Sequence, residues 1–579
     1  MLFNKRHFSI LFFTFATNLP NMRKMSYILI VIALNILAAT NVKANNYHAS
    51  NISIIKTGKT YVIKGHNILR GDTITIPKNC ILKFEDGIIE GNGVIIGNGS
   101  LISASLHRIF GNNITLSGNW NVSEVYPEWF GAVGNGVSDD TKAFERAASL
   151  KRPLTLSNKV YRLSRRIVVH SSINGNGATI HADITNTQKS VFDFVRVKNF
   201  HIQGVNIISN ARGISIRGCK EFTVKDLTFN TRYYSLELGG NGYEYLENFT
   251  ISSIRFKNDI NNLNADGIHI YDGTRNGFIN KLTGTTGDDF IALNAFEHYE
   301  RSDKPLTIEN LVFERCEMDE TCPLGLRVYS HNNIPIRNIT FKKCRFHVTY
   351  GKTARATPCV RFMTTITFSH PKDEGANPAW RLPIEKIYFE KCSFKTSSDK
   401  TPTIIIQDTD GDITFKQCNW INNAPRNAIA LHNNNITLKL DRCNISGGIQ
   451  GWQWKIGNNG VNRVSLYRCK FEYPLGKGFA PIAFNHDYAY GSKNYFIVDN
   501  PKIPHETKFD KKGCKGVIGY IGEKEYIGDN ILFFDLKVKN CPNLSLSTSN
   551  AIIDIQAKSS KDFKWNGKPL KSSYNSTEK

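Results

Sequence analysis

Six short segments of one pattern recur through the second half of the chain: FERCEM at 313–318, FKKCRF at 341–346, FEKCSF at 389–394, FKQCNW at 415–420, LDRCNI at 440–445 and LYRCKF at 466–471. Each sets a large apolar residue, two mostly polar residues, a cysteine, a polar residue and another apolar residue. The cysteines are separated by 28, 48, 26, 25 and 26 residues, and the 48 reads as two turns or as one turn with an inserted loop. One such unit cannot bury its own apolar face. Units of roughly 20–30 residues that stack on one another can, and they form a solenoid. Stacking places like residues in inward columns, and cysteine suits such a column because it packs as a small apolar residue. Neighbours stacked on one strand face have poor disulfide geometry. The ladder is therefore expected to hold free, buried thiols, with any bridge sought among Cys322, Cys359, Cys514 and Cys541. Turns of similar composition run upstream, as in ISIRGCKEFTVKDLTF at 214–229 and LENFTISSIRF at 246–256. With 41% apolar residues the chain has material for a core, which excludes disorder for most of its length.

The expected organisation is all-β. Residues 1–44 contain no acid, five bases (Lys5, Arg6, Arg23, Lys24, Lys43) and an apolar run from Tyr27 to Ala39. This is the pattern of a secretory leader, with Met22 or Met25 as alternative starts. The run is too short for a bilayer core, which needs roughly 20 residues, so a secreted or periplasmic protein with no membrane span is expected. Residues 45–125 read as an N-terminal β section, 126–557 as the solenoid, and 558–579 as an unstructured lysine-rich tail. One helix is expected from about Thr141 to Leu150, capped by Ser138 or Asp139 and burying Phe144, Ala147 and Ala148; it would cover the first turn. Removing the leader takes the net charge from +23 to 23 − 5 = +18. A protein this basic suits a polyanion, and no nucleic-acid-binding motif is present.

Two acidic segments define the candidate site: Asn264-Ala265-Asp266-Gly267-Ile268-His269-Ile270 and Gly287-Asp288-Asp289-Phe290-Ile291. Asp266 precedes Asp288 by 22 residues and Asp289 by 23, which is one turn. Equivalent residues on adjacent turns lie about 4.8 Å apart, so three carboxylates should gather on one face and at least one pKa should rise. A protonated acid beside an ionised one is what glycosidic hydrolysis requires. With Ile268 and Ile270 inward, His269 and Tyr271 point outward. Alternation places Arg327, Tyr329 and Arg361 in the same outward columns of later turns. Acids beside a guanidinium column suit a substrate with carboxylate or sulfate groups. Asn264, His269, Tyr271, Arg327, Tyr329 and Arg361 are thus candidate substrate-binding residues, on an open wall.

The segment EWFGAVGNGVSDDTKAF at 128–144 resembles the corresponding segment of pectate-lyase-superfamily proteins. That resemblance implies a right-handed parallel β-helix acting on polysaccharide. The spacing of Asn-Ala-Asp and Gly-Asp-Asp is similar to that of polygalacturonase-like family 28 glycoside hydrolases, and it implies that Asp266, Asp288 and Asp289 are catalytic, with inversion at the anomeric carbon. The chain departs from that pattern. Alanine stands in the first motif, Leu324-Gly325-Leu326-Arg327 replaces Gly-His-Gly, and no Arg-Ile-Lys follows. Simple polygalacturonic acid is therefore not implied as substrate.

Three functions compete. The first is an inverting hydrolase of an acidic polysaccharide that needs no cofactor. The second is a polysaccharide lyase, with Arg327 or Arg361 neutralising a uronate carboxylate. A base drawn from His269, Tyr271, Tyr329 and His331 would then take the α-proton, and a calcium requirement would favour this reading. The third is a non-catalytic polysaccharide-binding protein whose acids are structural.

Overall fold

The computed structural model describes residues 58–295 except Tyr243, then 306–472 with short breaks (331–332, 350–357, 365–380, 398–400, 423–427, 433, 447–448, 452–460), and beyond these only isolated strands up to residue 575. The 1–44 leader, His331, Cys514 and Cys541 lie outside the described residues. By its internal contacts the chain divides into two compact units, Met1–His181 and Ala182–Lys579.

The first unit is built mainly of parallel pairs, such as Thr60–Ile63 on Ile81–Phe84 and Ile81–Phe84 on Ile88–Ala104. Its helix spans Thr141–Ser149 and buries Thr141, Ala143, Phe144, Ala147 and Ala148. The residue at the helix start is Asp140, yet its carboxylate accepts the Val133 and Gly134 amides at 2.7 and 3.2 Å. Asp139 Oδ1 accepts the Thr141 amide at 3.0 Å. The paired acids in this segment therefore divide the work of closing the Gly-rich turn and starting the helix.

The second unit is a parallel β-helix. In its outer wall, Ser190–Val195, Arg212–Arg217, Leu236–Gly239, Ile268–Tyr271, Asp289–Ala295, Leu324–Ser330 and Val360–Thr364 pair in succession, all parallel. A second sheet, from Lys198–Gln203 to Val461–Tyr467, pairs in the same way. Strand alternation fills the core with columns such as Leu236, Ile268, Ile291, Leu326 and Val360, all fully buried. Phe313, Phe341, Phe389 and Phe415 stack with ring centroids 4.9, 4.8 and 4.8 Å apart, the rung spacing itself. Phe341 pairs directly with Phe389, so the 48-residue interval is one turn with an insertion.

The cysteine ladder has a local cause. The residue before each cysteine is left-handed: Arg315, Lys343, Lys391, Gln417, Arg442 and Arg468 have φ between 49° and 54°. That one residue turns the chain so that the preceding Phe or Leu and the following Cys both face inward. From Cys344 onward each thiol then donates to a carbonyl of the previous rung, as Cys392 does to Phe341 O at 3.3 Å and Cys469 to Leu440 O at 3.3 Å. All ten described cysteines are buried and free, Cys322 and Cys359 included. In the segment expected to be an unstructured tail, Phe563–Trp565 pairs antiparallel with Lys568–Pro569. The intervening Asn566-Gly567 is a hairpin signal that the lysine-rich composition obscured.

Candidate active site

Register brings the acids together. Ile268 pairs with Ile291, and the Gly267 amide bonds Asp289 O at 2.9 Å; Asp266 and Asp289 therefore occupy equivalent places on adjacent rungs. Gly287 permits this closure: a Cβ there would lie 2.1 Å from Asn262 O and 2.2 Å from Asp259 O. A carboxylate oxygen of each of Asp266, Asp288 and Asp289 lies within 4.8 Å of the other two.

Alternation puts Glu237, His269, Ala292, Arg327 and Arg361 in one outward column, and Tyr271, Asn294 and Tyr329 in the next. The wall is not open, however. Asp266 is 2% exposed, His269 3% and Asp289 0%. They lie on the outer face of the strands but are roofed by neighbours that sequence alternation cannot show. The Tyr234 ring lies on His269 with centroids 4.1 Å apart, and Tyr271 flanks it at 4.5 Å. Tyr234 and Tyr271 share a hydrogen bond. Arg212 pairs with Glu237 at 2.8 Å and lies 4.9 Å over the Tyr234 ring. Tyr234, Glu237, Arg212 and Asn294 are site residues that belong to neither acidic motif. Tyr234 and Arg212 stand one and two rungs before Asp266 at the same register, which was the available signal.

His269 Nδ1 lies 2.5 Å from Asp266 Oδ2, and Asn294 Nδ2 donates to His269 Nε2 at 3.1 Å. With Nε2 accepting, the ring proton sits on Nδ1 and is donated to the carboxylate. Arg327 reaches the other two acids, with Nη2 3.5 Å from Asp288 Oδ1 and Nε 2.9 Å from Asp289 Oδ2. The latter contact is off the hydrogen-bond direction. Neither Asp289 oxygen accepts a hydrogen bond among the described residues, so the attraction is purely electrostatic. Burial, reinforced by the charges of Asp266 and Asp288 and opposed by Arg327 and Arg361, holds the Asp289 pKa well above the usual carboxylate range. Burial alone would weaken the Arg327 cation, but Asp289, Asp288 and Asp266 together raise its pKa. Arg361 is pushed down to about 10, first by burial and then by Arg327. Burial, with Tyr234 and Glu237, raises the Tyr271 phenol, which keeps its proton.

Three carboxylates this close have the donors for a hard cation, which prefers six to eight oxygen ligands. Arg327 already stands against two of them, so the donor set fits a guanidinium better than calcium. Asn264 is exposed in the loop before Asp266, where it lines a separate hollow of about 600 Å³ with Asn230, Arg232, Asp259 and Asn261. None of the three acids lines that hollow.

The chain matches no protein-family model, and no curated protein resembles it significantly. Among solved structures it is similar to the A-module of the mannuronan C-5 epimerase AlgE6 of Azotobacter vinelandii, at 12% identity over 66% of this chain and 100% of that one, with a TM-score of 0.46. It is also similar to a GH87 α-1,3-glucanase catalytic unit from Streptomyces thermodiastaticus, at 14% identity over 67% of this chain and 69% of that one, with a TM-score of 0.42. ORF18 of Geobacillus virus E2 aligns at 15% identity over 67% of this chain and 63% of its own length, with a TM-score of 0.33. Likenesses this distant carry no argument about activity; the β-helix stands on the strand register. No helix among the described residues is long and apolar enough to cross a membrane.

Proposed function

We propose that this chain is a carbohydrate-active enzyme that hydrolyses glycosidic linkages in a polysaccharide bearing carboxylate or sulfate groups. The observation that carries the reading is Asp289, a buried carboxyl without a hydrogen-bond partner among the described residues, its pKa raised by burial beside two further acids on its own rung and the rung before. Two carboxyl groups pushed to different protonation states are the working pair of glycoside hydrolysis. In this reading Asp289 protonates the leaving oxygen. Asp288, at the half-buried rim, activates water, and Asp266 is oriented by His269. The resemblance of the two motifs to family 28 enzymes supports the same three residues.

The acidic substrate is supported by Arg327 and Arg361, stacked in register on adjacent rungs. Two guanidinium groups this close repel, and a bound anion relieves that repulsion. A substrate carboxylate that draws Arg327 outward would also uncover Asp289. The test is digestion of a panel of uronate-rich and sulfated polysaccharides by the native chain and by Asp289→Asn, read by product mass and ultraviolet absorbance. Saturated fragments from the native chain alone support hydrolysis. Full activity in Asp289→Asn removes it.

The second reading is β-elimination, favoured by the same arginine pair. His269 is a poor candidate base because both ring nitrogens are engaged, and Tyr271 holds its proton; Tyr329 is the remaining described candidate. Unsaturated products would select this reading.

A further inference from the structure

Two ladders of left-handed residues run through the second unit, and they differ in chemistry. Each turn needs a residue at positive φ at these corners, a conformation that asparagine tolerates best among residues with a side chain. One ladder largely obeys that preference, with Glu221 and Lys386 as its exceptions. Asn248, Asn276, Asn310 and Asn338 have φ of 54–60°, and their amides bond in a chain at 3.3, 3.0 and 3.0 Å. The other ladder, which from Arg315 onward stands just before the cysteine column, has the same backbone demand; it begins at Asp226 and Ser253 and is cationic beyond them, at Lys281, Arg315, Lys343, Lys391, Arg442 and Arg468, with Gln417 neutral. All are exposed. The amides of Arg315, Lys343, Lys391, Gln417 and Arg442 bond the next rung at 2.8–2.9 Å, so the stack is continuous.

Like charges in register about 4.8 Å apart repel, well inside the roughly 8 Å screening length at physiological ionic strength. Folding asks for asparagine here and electrostatics argues against a cation, so the charge itself requires an explanation. The flanking positions cancel only part of it: Asp441 pairs with Arg442 at 3.0 Å and Glu314 lies 3.7 Å from Arg315. Over the rungs from Lys281 to Arg468, the residues immediately before the left-handed position and two after it add Lys342, Lys416, Arg345 and Lys470 against Glu314, Glu390, Asp441 and Glu317.

We infer that this stripe is a docking surface for an extended anionic polysaccharide, laid across the rungs so that successive acidic groups meet successive cations. The surface is separate from the aspartate site, because it lies on the other sheet of the unit. The choice of polysaccharide over nucleic acid rests on the carbohydrate reading of that site.

The probe is fluorescein-labelled heparin, a sulfated uronate polymer, titrated by anisotropy into the full chain over a range of salt, with neutral dextran and duplex DNA as comparators. The fourfold variant Lys343→Asn, Lys391→Asn, Arg442→Asn, Arg468→Asn keeps the left-handed backbone comfortable, and circular dichroism checks its fold. Heparin affinity is expected to fall about tenfold to a hundredfold, four exposed ion pairs' worth, with a shallower salt dependence. Four exposed lysines elsewhere, Lys78, Lys142, Lys189 and Lys198, changed to Asn, should leave affinity within about threefold. Equal loss in both variants would mean diffuse charge and overturn the proposal. So would an unchanged affinity in the first variant, or tighter binding of DNA than of heparin. Because binding is read without cleavage, an inactive aspartate site and an inert stripe are distinguishable results.

Discussion

Arg327 Nε stands 2.9 Å from Asp289 Oδ2 without the alignment of a hydrogen bond, while Nη2 of the same guanidinium lies 3.5 Å from Asp288 Oδ1. One cation thus stands against two of the three acids, while His269 faces the third. Removing that cation takes this ion pair from the part-buried Asp288, at a cost of about 1–3 kcal/mol, since burial already favours the protonated form of Asp289. Arg327→Ala is expected to lose stability on that scale by chemical denaturation, and Arg327→Lys to recover part of it. Because Arg327 occupies the cation's place, chelators should leave activity unchanged. A calcium requirement would show that this compensation is incomplete.

The pH dependence follows from Asp289. Its folded pKa is raised, so between the ordinary carboxylate range and that raised value the folded state holds a proton that the unfolded chain releases. Stability therefore declines with rising pH across that window and is flat above it. Asp289→Asn should abolish the decline in denaturation midpoints measured from pH 4 upward. If Asp289 is the general acid, the rate in the native chain falls over the upper part of the same window.

Stereochemistry separates two lines of reasoning. The family 28 resemblance implies inversion. Carboxylate oxygens within 4.8 Å of one another are nearer the roughly 5–5.5 Å of retaining pairs than the 6.5–9.5 Å of inverting ones. Proton magnetic resonance of the first-formed sugar decides. The inverted anomer is expected if Asp288 directs water from the rim, and the retained anomer would make it a nucleophile.

The thiols give a test of the fold. The ten described cysteines are buried and free, and burial raises most of their pKa values, Cys219 and Cys322 to about 11. Reaction with a thiol reagent should be minimal in the native chain, and at least ten groups should appear in guanidinium without reductant. Fewer than ten would mean that ladder cysteines are bridged.

The repeat of Cys316, Cys344, Cys392, Cys418, Cys443 and Cys469 determined the solenoid without coordinates, because a period longer than any local element can be satisfied only by stacking. The same period placed Asp266 one turn before Asp289, and strand alternation put Arg361 beside Arg327. What surrounds those acids was decided by tertiary structure. Tyr234, Arg212 and Glu237 belong to earlier rungs with no acidic motif to draw attention to them, and they close over a face that alternation alone leaves open to water. Alternation reports which side of a strand a residue takes; whether solvent reaches that side depends on the side chains that neighbouring rungs lay across it.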